Sequence, residues 1–464
     1  MQSENLAYAI GVQTYISYFP LMDLYRTLWE TCFDPGRGHD RTLNEYFAFD
    51  RLITSEDDWV ITPNNDTIYL RAFLDLRKEP IILVIPPMGD RHFWVPVSDL
   101  RHDHDASLSW DTIGARGGAY ALCPPGWQGV LPKGVQRVDV GTPIVWTLPR
   151  IAVNGEADLP AALELQKQFR LVPLSQWGAT TVTRPQPDAA DFPRFTRHEH
   201  TDARAYFTTL NKVLRLAARL CNPADAVMAA WMRELKLDPA SSFDWDQLSP
   251  EAQRGLERAA ADAHQIIADR MPRAVAIVNN WQVVRLEPRI SGDPLLAAAA
   301  AMLGLMWNPA KISTYDIAFL DGTGAPLDGN NRYVLRFAPP PPVEAFWSVS
   351  MYSAESGIFV SNKINRYSLG DRTPGLRVRR GRLARDLPAG RRARRSGRAG
   401  ELAASAQGAL LPCLPALLAA FADPDRRLGA AAGGQALIRP PVATKGTTAD
   451  FFEAVTNIRP ARLL

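Results

Sequence analysis

A chain of 464 residues, 46% hydrophobic and 22% charged, has the composition of a globular protein long enough for two or three domains with cores of their own. Its net charge of +3 averages two unlike parts: 16 Lys and Arg against 6 Asp and Glu lie beyond Leu376, leaving 36 basic and 43 acidic groups in residues 1–376. The body is therefore mildly acidic, with no electrostatic footprint for nucleic acid. The N-terminus lacks the basic and apolar regions of a signal peptide, and the most apolar stretch, Pro294 to Met306, is too short to span a bilayer.

In chain order, Leu6 to Trp29 carries aromatic and aliphatic residues at helical spacing and predicts an amphipathic helix, broken or bent at Pro20. From Trp59 to Leu148 the pattern changes to short apolar runs between Pro and Gly: Ile68–Leu74, Ile81–Ile85, His92–Val97, Tyr120–Cys123 and Pro143–Leu148. Such runs predict a mostly antiparallel β domain. Helical periodicity returns at Ala157–Gln168. After the Pro-rich stretch from Thr183 to Pro193 it recurs at Arg204–Leu220, Ala224–Leu235, Pro250–Met271 and Pro294–Met306. Asp202 is the expected N-cap of the first of these, and Ser249 precedes Pro250 at a favoured first position of the third. Strand character resumes at Tyr315, with turns at Asp321–Gly324 and Asp328–Asn331 and further strands expected at Tyr333–Phe337 and Phe346–Met351. The expected class is α+β: an N-terminal helix with a β-rich domain (1–180), a connecting helical segment (181–310) and a second β domain (311–376), followed by a tail (377–464).

No H-E-x-x-H, G-x-S-x-G, Walker A or dinucleotide fingerprint occurs, which disfavours several large enzyme classes. The four cysteines, Cys32, Cys123, Cys221 and Cys413, are scattered and suit a reducing cytoplasm better than a disulfide framework or a zinc site. Asn64-Asn65-Asp66 with Tyr69 is the densest polar cluster in the strand-like region. It reads either as a turn opening a strand or as the lip of a pocket. In Arg101-His102-Asp103-His104-Asp105, after Trp94 and Asp99, an extended backbone would set His102 and His104 on one face as a weak metal pair. An exposed polar run is the simpler reading. Trp347 and Tyr352 suit the core and rim of the second β domain. Asn365-Arg366-Tyr367 with Asp371-Arg372 offers either a fork for a carboxylate or phosphate or an internal Arg–Asp pair. His198-Glu199-His200 reads as a solvated loop.

Three stretches resemble one family. They are Thr62–Tyr69 with Leu74-Asp75-Leu76 and Lys78-Glu79-Pro80; Gly117–Tyr120 with Pro125-Gly126-Trp127, Thr142-Pro143, Trp146 and Pro173–Trp177; and Pro326–Gly329, Ala345–Ser348, Met351-Tyr352, Ile364–Tyr367 and Gly370–Pro374. Over some 370 residues these resemble, in order, the bacterial proteins in which domain of unknown function twelve-fifty-four precedes domain of unknown function twelve-fourteen. The resemblance implies an N-terminal β-rich domain, a helical linker and a C-terminal jelly-roll-like sandwich, and it brings no mechanism or cofactor. It ends near Leu376. Arg377–Arg398 holds ten arginines in 22 residues, and Ser368–Asp450 holds one aromatic, Phe421. Written in permitted codons and read one base on, Glu401–Leu414 becomes Asn-Trp-Leu-Pro-Ala-Pro-Lys-Gly-Pro-Phe-Tyr-Pro-Ala, which resembles the family's C-terminal segment. The same offset turns Asp386–Ala389 into Ile-Tyr-Leu-Gln. A frameshift near Leu376–Val378 is therefore expected. Arg377–Arg398 would be solvated, no regular strand would follow, and the Ala- and Leu-rich 403–420 would tend to helix.

The expected function is that of a small-molecule enzyme, of hydrolase or lyase type, with its pocket between the two β domains. Asp66 or Asp99 would be the acid/base beside Tyr69, Arg366 or Arg372 would hold an anionic group, and Trp94 or Trp347 would pack the ligand. Alternatives are a non-catalytic ligand-binding or structural protein, or a non-functional frameshifted product. The sequence leaves the oligomeric state open.

Overall fold

A computed structural model describes residues 3–37, 43–57, 62–183, 188–217, 223–305, 307–335, 337, 341–374 and 410–419. It is a mixed α+β structure with β-rich domains. In chain order the elements are α1 (Glu4–Cys32), β1 (Phe47–Ala48), β2 (Thr67–Asp75), β3 (Ile81–Ile85), β4 (Phe93–Asp99), β5 (His104–Ser109), α2 (Trp110–Ile113), β6 (Gly118–Cys123), β7 (Val135–Asp139), β8 (Ile144–Thr147), β9 (Arg150–Ala152), α3 (Leu159–Gln166) and β10 (Arg170–Pro173). Then follow α4 (Ala203–Leu216), α5 (Pro223–Glu234), α6 (Pro250–Ala274), β11 (Ala276–Val278), β12 (Trp281–Val284), α7 (Pro294–Leu303), β13 (Ser313–Ala318), β14 (Val343–Ser353), β15 (Ser368–Gly370) and β16 (Leu410–Ala419).

The N-terminal β domain stacks two sheets, ordered β1-β2-β8-β4-β5 with β9 joining β2 to β4, and β10-β3-β6-β7. Alternation along β2 sets its place. Ile68, Leu70, Ala72 and Leu74 enter the core between the sheets, while Tyr69 and Phe73 face the helices. A strand covered on both faces reads as a nearly continuous apolar run, as this one does. The C-terminal sheet is antiparallel, in the order β11-β12-β13-β16-β14-β15.

Helices α4 and α6 begin at the expected caps: Asp202 accepts from Ala205 N–H and Ser249 from Ala252 N–H. Pro20 does not divide the first helix, which runs unbroken from Glu4 to Cys32. Every residue from Tyr18 to Leu28 is buried, Asp23 and Arg26 included. It is a core helix rather than an amphipathic surface one, because α6 and α7 pack against it. Gly11 and Gly255 permit that approach. A Cβ at Gly255 would lie 2.4 Å from the Glu4 carbonyl oxygen, and one at Gly11 would lie 2.7 Å from Ala259 Cβ.

Three expectations fail here. Tyr333–Leu335 and Phe337 form no strand; their side chains pack into the C-terminal core beside Trp281 and Trp347, without pairing in the sheet. Residues 410–419 are not helical but form β16, hydrogen-bonded between β13 and β14, so a regular strand does follow Leu376. Pro412 and Pro415 disfavour a helix in spite of the surrounding Ala and Leu, and two strand edges offer pairing instead. The polar run 101–105 is not exposed: His102, Asp103 and His104 are all buried. Arg377–Arg398 lies outside the described residues.

Candidate functional site: the seam between the β domains

The turn that opens β2 forms through its own side chains. Asn64 Oδ1 accepts from Asp66 N–H at 2.5 Å, and Asn65 Nδ2 donates to Ile53 O at 2.5 Å. Asn64 and Asn65 thus hold the turn, while Asp66 reaches across to the second domain. Its carboxylate accepts from Arg372 Nη2 at 2.7 Å and from Ser348 Oγ at 2.5 Å. The two polar clusters of the sequence, 64–69 and 365–372, therefore meet in one seam. Tyr352 Oη donates to Pro63 O at 2.6 Å, Thr62 N–H donates to Gly357 O at 2.7 Å, and Arg372 Nη1 donates to Val153 O at 2.9 Å. Strand alternation on β14 explains this: Phe346, Ser348 and Tyr352 face the first domain, while Trp347, Val349 and Met351 enter the C-terminal core.

Each remaining candidate has a definite place. Trp347 packs on Phe337 inside the C-terminal core, and Tyr352 is fully buried at the seam rather than at a rim, stacked on Phe359. The expected Arg–Asp pair inside the 365–372 loop does not form. Arg372 pairs with Asp66, while Asp371 accepts from Trp347 N–H at 3.3 Å, and burial raises its carboxyl pKa. Asn365, at φ 50°, accepts from Tyr367 Oη at 3.4 Å, and Tyr367 also lies 3.2 Å from Ser55 Oγ. Burial lowers the pKa of Arg366, whose side chain has no ionic partner among the described residues.

Asp99 does not face this seam. Its Oδ1 accepts from Arg101 and Asp103 N–H, and burial together with Asp105 pushes its carboxyl pKa up to about 7. The run it anchors docks the segment before α7. Asp103 accepts from Ile290 N–H, Ser291 N–H and Ser291 Oγ, and Asp105 pairs with Arg289 at 2.8 Å. His102 and His104 both set their rings edge-on to Trp307, and His104 Nε2 bonds Trp307 O at 2.7 Å. The pair therefore does not present a metal-binding face. No group of three or more His, Cys, Asp or Glu able to hold a metal occurs among the described residues. Burial lowers the pKa of His102 to about 3 and that of His104 to about 4, so both rings are neutral.

The seam's most demanding group is one that sequence reasoning passed over. Arg150, on β9, is 6% exposed, and no carboxylate faces it among the described residues. Its guanidinium lies 4.9 Å from the Trp94 ring and 5.4 Å from the Tyr69 ring. Nη1 donates to Asn308 Oδ1 at 2.8 Å and approaches Tyr315 Oη at 3.5 Å, while Nε has no partner. Trp94 Nε1, His104 Nδ1, Ser313 Oγ and Ser350 Oγ are likewise buried without partners. Burial raises the Tyr69 phenol to about 12, against the pull of Arg150, so it is a neutral donor. The signal for Arg150 was present in the chain: it is the one charge in the apolar run from Ile144 to Val153.

Fold and seam define a class, the two-β-domain α+β proteins whose domains meet through buried polar side chains. The family model described as protein of unknown function (DUF1254) matches residues 43–173, and that described as protein of unknown function (DUF1214) matches residues 313–395. The chain belongs to the family that pairs these two domains in this order. The second match runs past Leu376, where the sequence reading ends the resemblance. No curated protein matches the chain. It is similar to the VPA0106 protein of Vibrio parahaemolyticus, with 22% identity, a TM-score of 0.62 and coverage of 89% of this chain and 95% of that one; this likeness is one of fold. An uncharacterized protein of Burkholderia cenocepacia aligns over 89% of this chain and 93% of its own at 11% identity and a TM-score of 0.38. No helix among the described residues is long and apolar enough to cross a membrane.

Proposed function

We propose that this protein binds a small anionic molecule at the seam between its β domains and acts on it as a hydrolase- or lyase-type enzyme. The carrying observation is the buried Arg150 guanidinium with no carboxylate partner among the described residues. Taking such a charge from water costs several kcal/mol. Two ring contacts at up to about 2 kcal/mol each offset part of that cost. A carboxylate or phosphate on Nε and Nη2 would offset the remainder through charge-assisted hydrogen bonds. In this reading Arg150 replaces Arg366 and Arg372 as the anion's partner, Trp94 and Tyr69 enclose it, and the Tyr69 phenol and His104 Nδ1 are the nearest proton-transfer groups. Asp66 is engaged by Arg372 and serves to position the seam.

A thermal-shift screen of carboxylates and phosphate esters tests this, since a ligand specific to the folded state raises stability with its occupancy. Hits should lose their shift in R150Q. A library without hits would leave the non-catalytic structural reading, and hits indifferent to R150Q would place the binding away from the seam.

We also keep two readings of the C-terminal part and one of location. The C-terminal sheet belongs to a jelly-roll-like sandwich by family resemblance, and the tail is out of frame. Supporting the latter, β16 sets Pro412 opposite Met351 and Pro415 opposite Tyr315 between two neighbouring strands, where proline supplies no ladder donor. The family match to residue 395 speaks against a break as early as Leu376, and sequencing the gene across codons 370–400 decides. The free thiol of Cys123 accords with a reducing cytoplasm.

A further inference from the structure

A second set of polar groups lies in the helical layer, away from the seam. Between α1, α6, α7 and the single 3-10 turn Arg197–His200 there is a cavity of about 300 Å³. The sequence reading of 198–200 as a solvated loop fails at His200, which is 4% exposed and lines this cavity with Asp23, Arg26 and His264. Phe19 and Met302 form part of its apolar wall.

Hydrogen-bond counting assigns the protons. Tyr15 Oη has one proton and donates it to His200 O at 2.9 Å. The same oxygen lies 3.2 Å from His264 Nδ1, so it accepts there, and Nδ1 is the protonated nitrogen. The lone pair of His264 is then on Nε2. Burial and the neighbouring His200 lower the ring's pKa, with Asp23 opposing, so the neutral form prevails at neutral pH.

Across the cavity, burial works against the Asp23 carboxylate, yet Arg26 and His200 hold its pKa well below the usual range. Arg26 Nε donates to Asp23 at 2.8 Å and Nη1 to Glu30 at 2.7 Å. His200 Nε2 stands 3.3 Å from Asp23 Oδ1, too poorly aligned for a good hydrogen bond, and neither ring nitrogen of His200 has a hydrogen-bond partner. A carboxylate only accepts, so His200 turns a protonated Nε2 toward it. Arg197 also lines the cavity, is exposed, and has no ionic partner for its guanidinium among the described residues. Arg26 is thus balanced by Asp23 and by Glu30, leaving the Arg197 guanidinium as the unpaired charge on the wall.

We propose that this cavity is a second small-molecule site, taking an anionic ligand held by Arg197, with His264 Nε2 as its proton acceptor. A buried histidine with unused nitrogens, a second histidine with an assigned free lone pair, and an unpaired guanidinium converge on one half-open cavity. That combination marks a site for chemistry rather than packing. It is independent of the Arg150 reading.

Long-range ¹⁵N–¹H NMR of the histidine rings in the full chain tests it, with H264N and H200N used to assign the signals. His264 should show the Nδ1–H tautomer at neutral pH; an Nε2–H tautomer overturns the proton-acceptor role. Titration with acetate and with inorganic phosphate should shift the His264 and His200 signals saturably. R197Q should weaken that response about tenfold, and R150M should leave it unchanged. No saturable shift from either anion, or an undiminished response in R197Q, overturns the anion selectivity. Loss of the response in R150M as well would assign it to the seam.

Discussion

Arg150 and Arg26 pose the same physical problem with opposite solutions. Arg26 is buried with Asp23 and Glu30 as counter-charges, whereas Arg150 has only rings and an amide. If Arg150 is held for a ligand, R150M should leave the ligand-free melting temperature unchanged or raise it while abolishing anion-dependent stabilisation. A destabilised R150M with ligand response intact would mark a purely structural residue. For the Asp66–Arg372 pair, which is largely buried, R372M should lower stability by about 2–3 kcal/mol in urea unfolding. Asp99 gives a pH signature. Its folded pKa of about 7 lies above the ordinary aspartate value of 3.8, so the folded state binds the extra proton and this group's contribution falls as pH rises from about 4 to about 7. D99N, which keeps an acceptor for Arg101 and Asp103 N–H, should therefore gain on the wild type across that window. Parallel stability curves for the two proteins would refute the raised pKa.

Among the elements, α1 and β2 carry the architecture. Both are buried along most of their length, and each serves two neighbours: α1 meets α6 and α7, and β2 joins the inter-sheet core to the helical layer. The α1–α6 contact reverses a usual rule. Gly→Ala inside a helix commonly stabilises by about 1 kcal/mol. At Gly255 the new methyl would meet the Glu4 carbonyl at 2.4 Å, so G255A should destabilise by about 1–3 kcal/mol, seen as a lower urea midpoint. A stabilised G255A would show that the two helices can separate freely.

For the molecule as a whole, the C-terminal sheet depends on what lies between β13 and β14. In the present chain that place is taken by β16, whose Pro412 and Pro415 withhold two donors from a strand flanked on both sides. Each acceptor left unmatched in a buried sheet costs about 1–3 kcal/mol. If the tail is out of frame, as proposed, restoring the frame should raise the unfolding free energy in urea by about 2 kcal/mol or more and give more soluble expression. Equal stability of the two chains would show that the present tail is adequate to the fold.

Local patterns in the sequence determined the elements: short apolar runs between Pro and Gly located β2, β3, β4, β6 and β8, and Asp202 and Ser249 located the starts of α4 and α6. Motif resemblance determined the two-domain order. Tertiary structure alone decided which polar residues share a site. Asp66 and Arg372 are 306 positions apart, Arg150 and Asn308 are 158 apart, and Tyr15 and His264 are 249 apart. Periodicity describes a residue's own element and is blind to such pairings. The same limit hid the burial of Asp23, Arg26 and His200, because a helix or turn becomes core only when other elements cover it. The tail shows the converse: the Ala- and Leu-rich 403–420 is extended over 410–419, where Pro412 and Pro415 disfavour a helix and two strand edges, far away in sequence, offer hydrogen bonds.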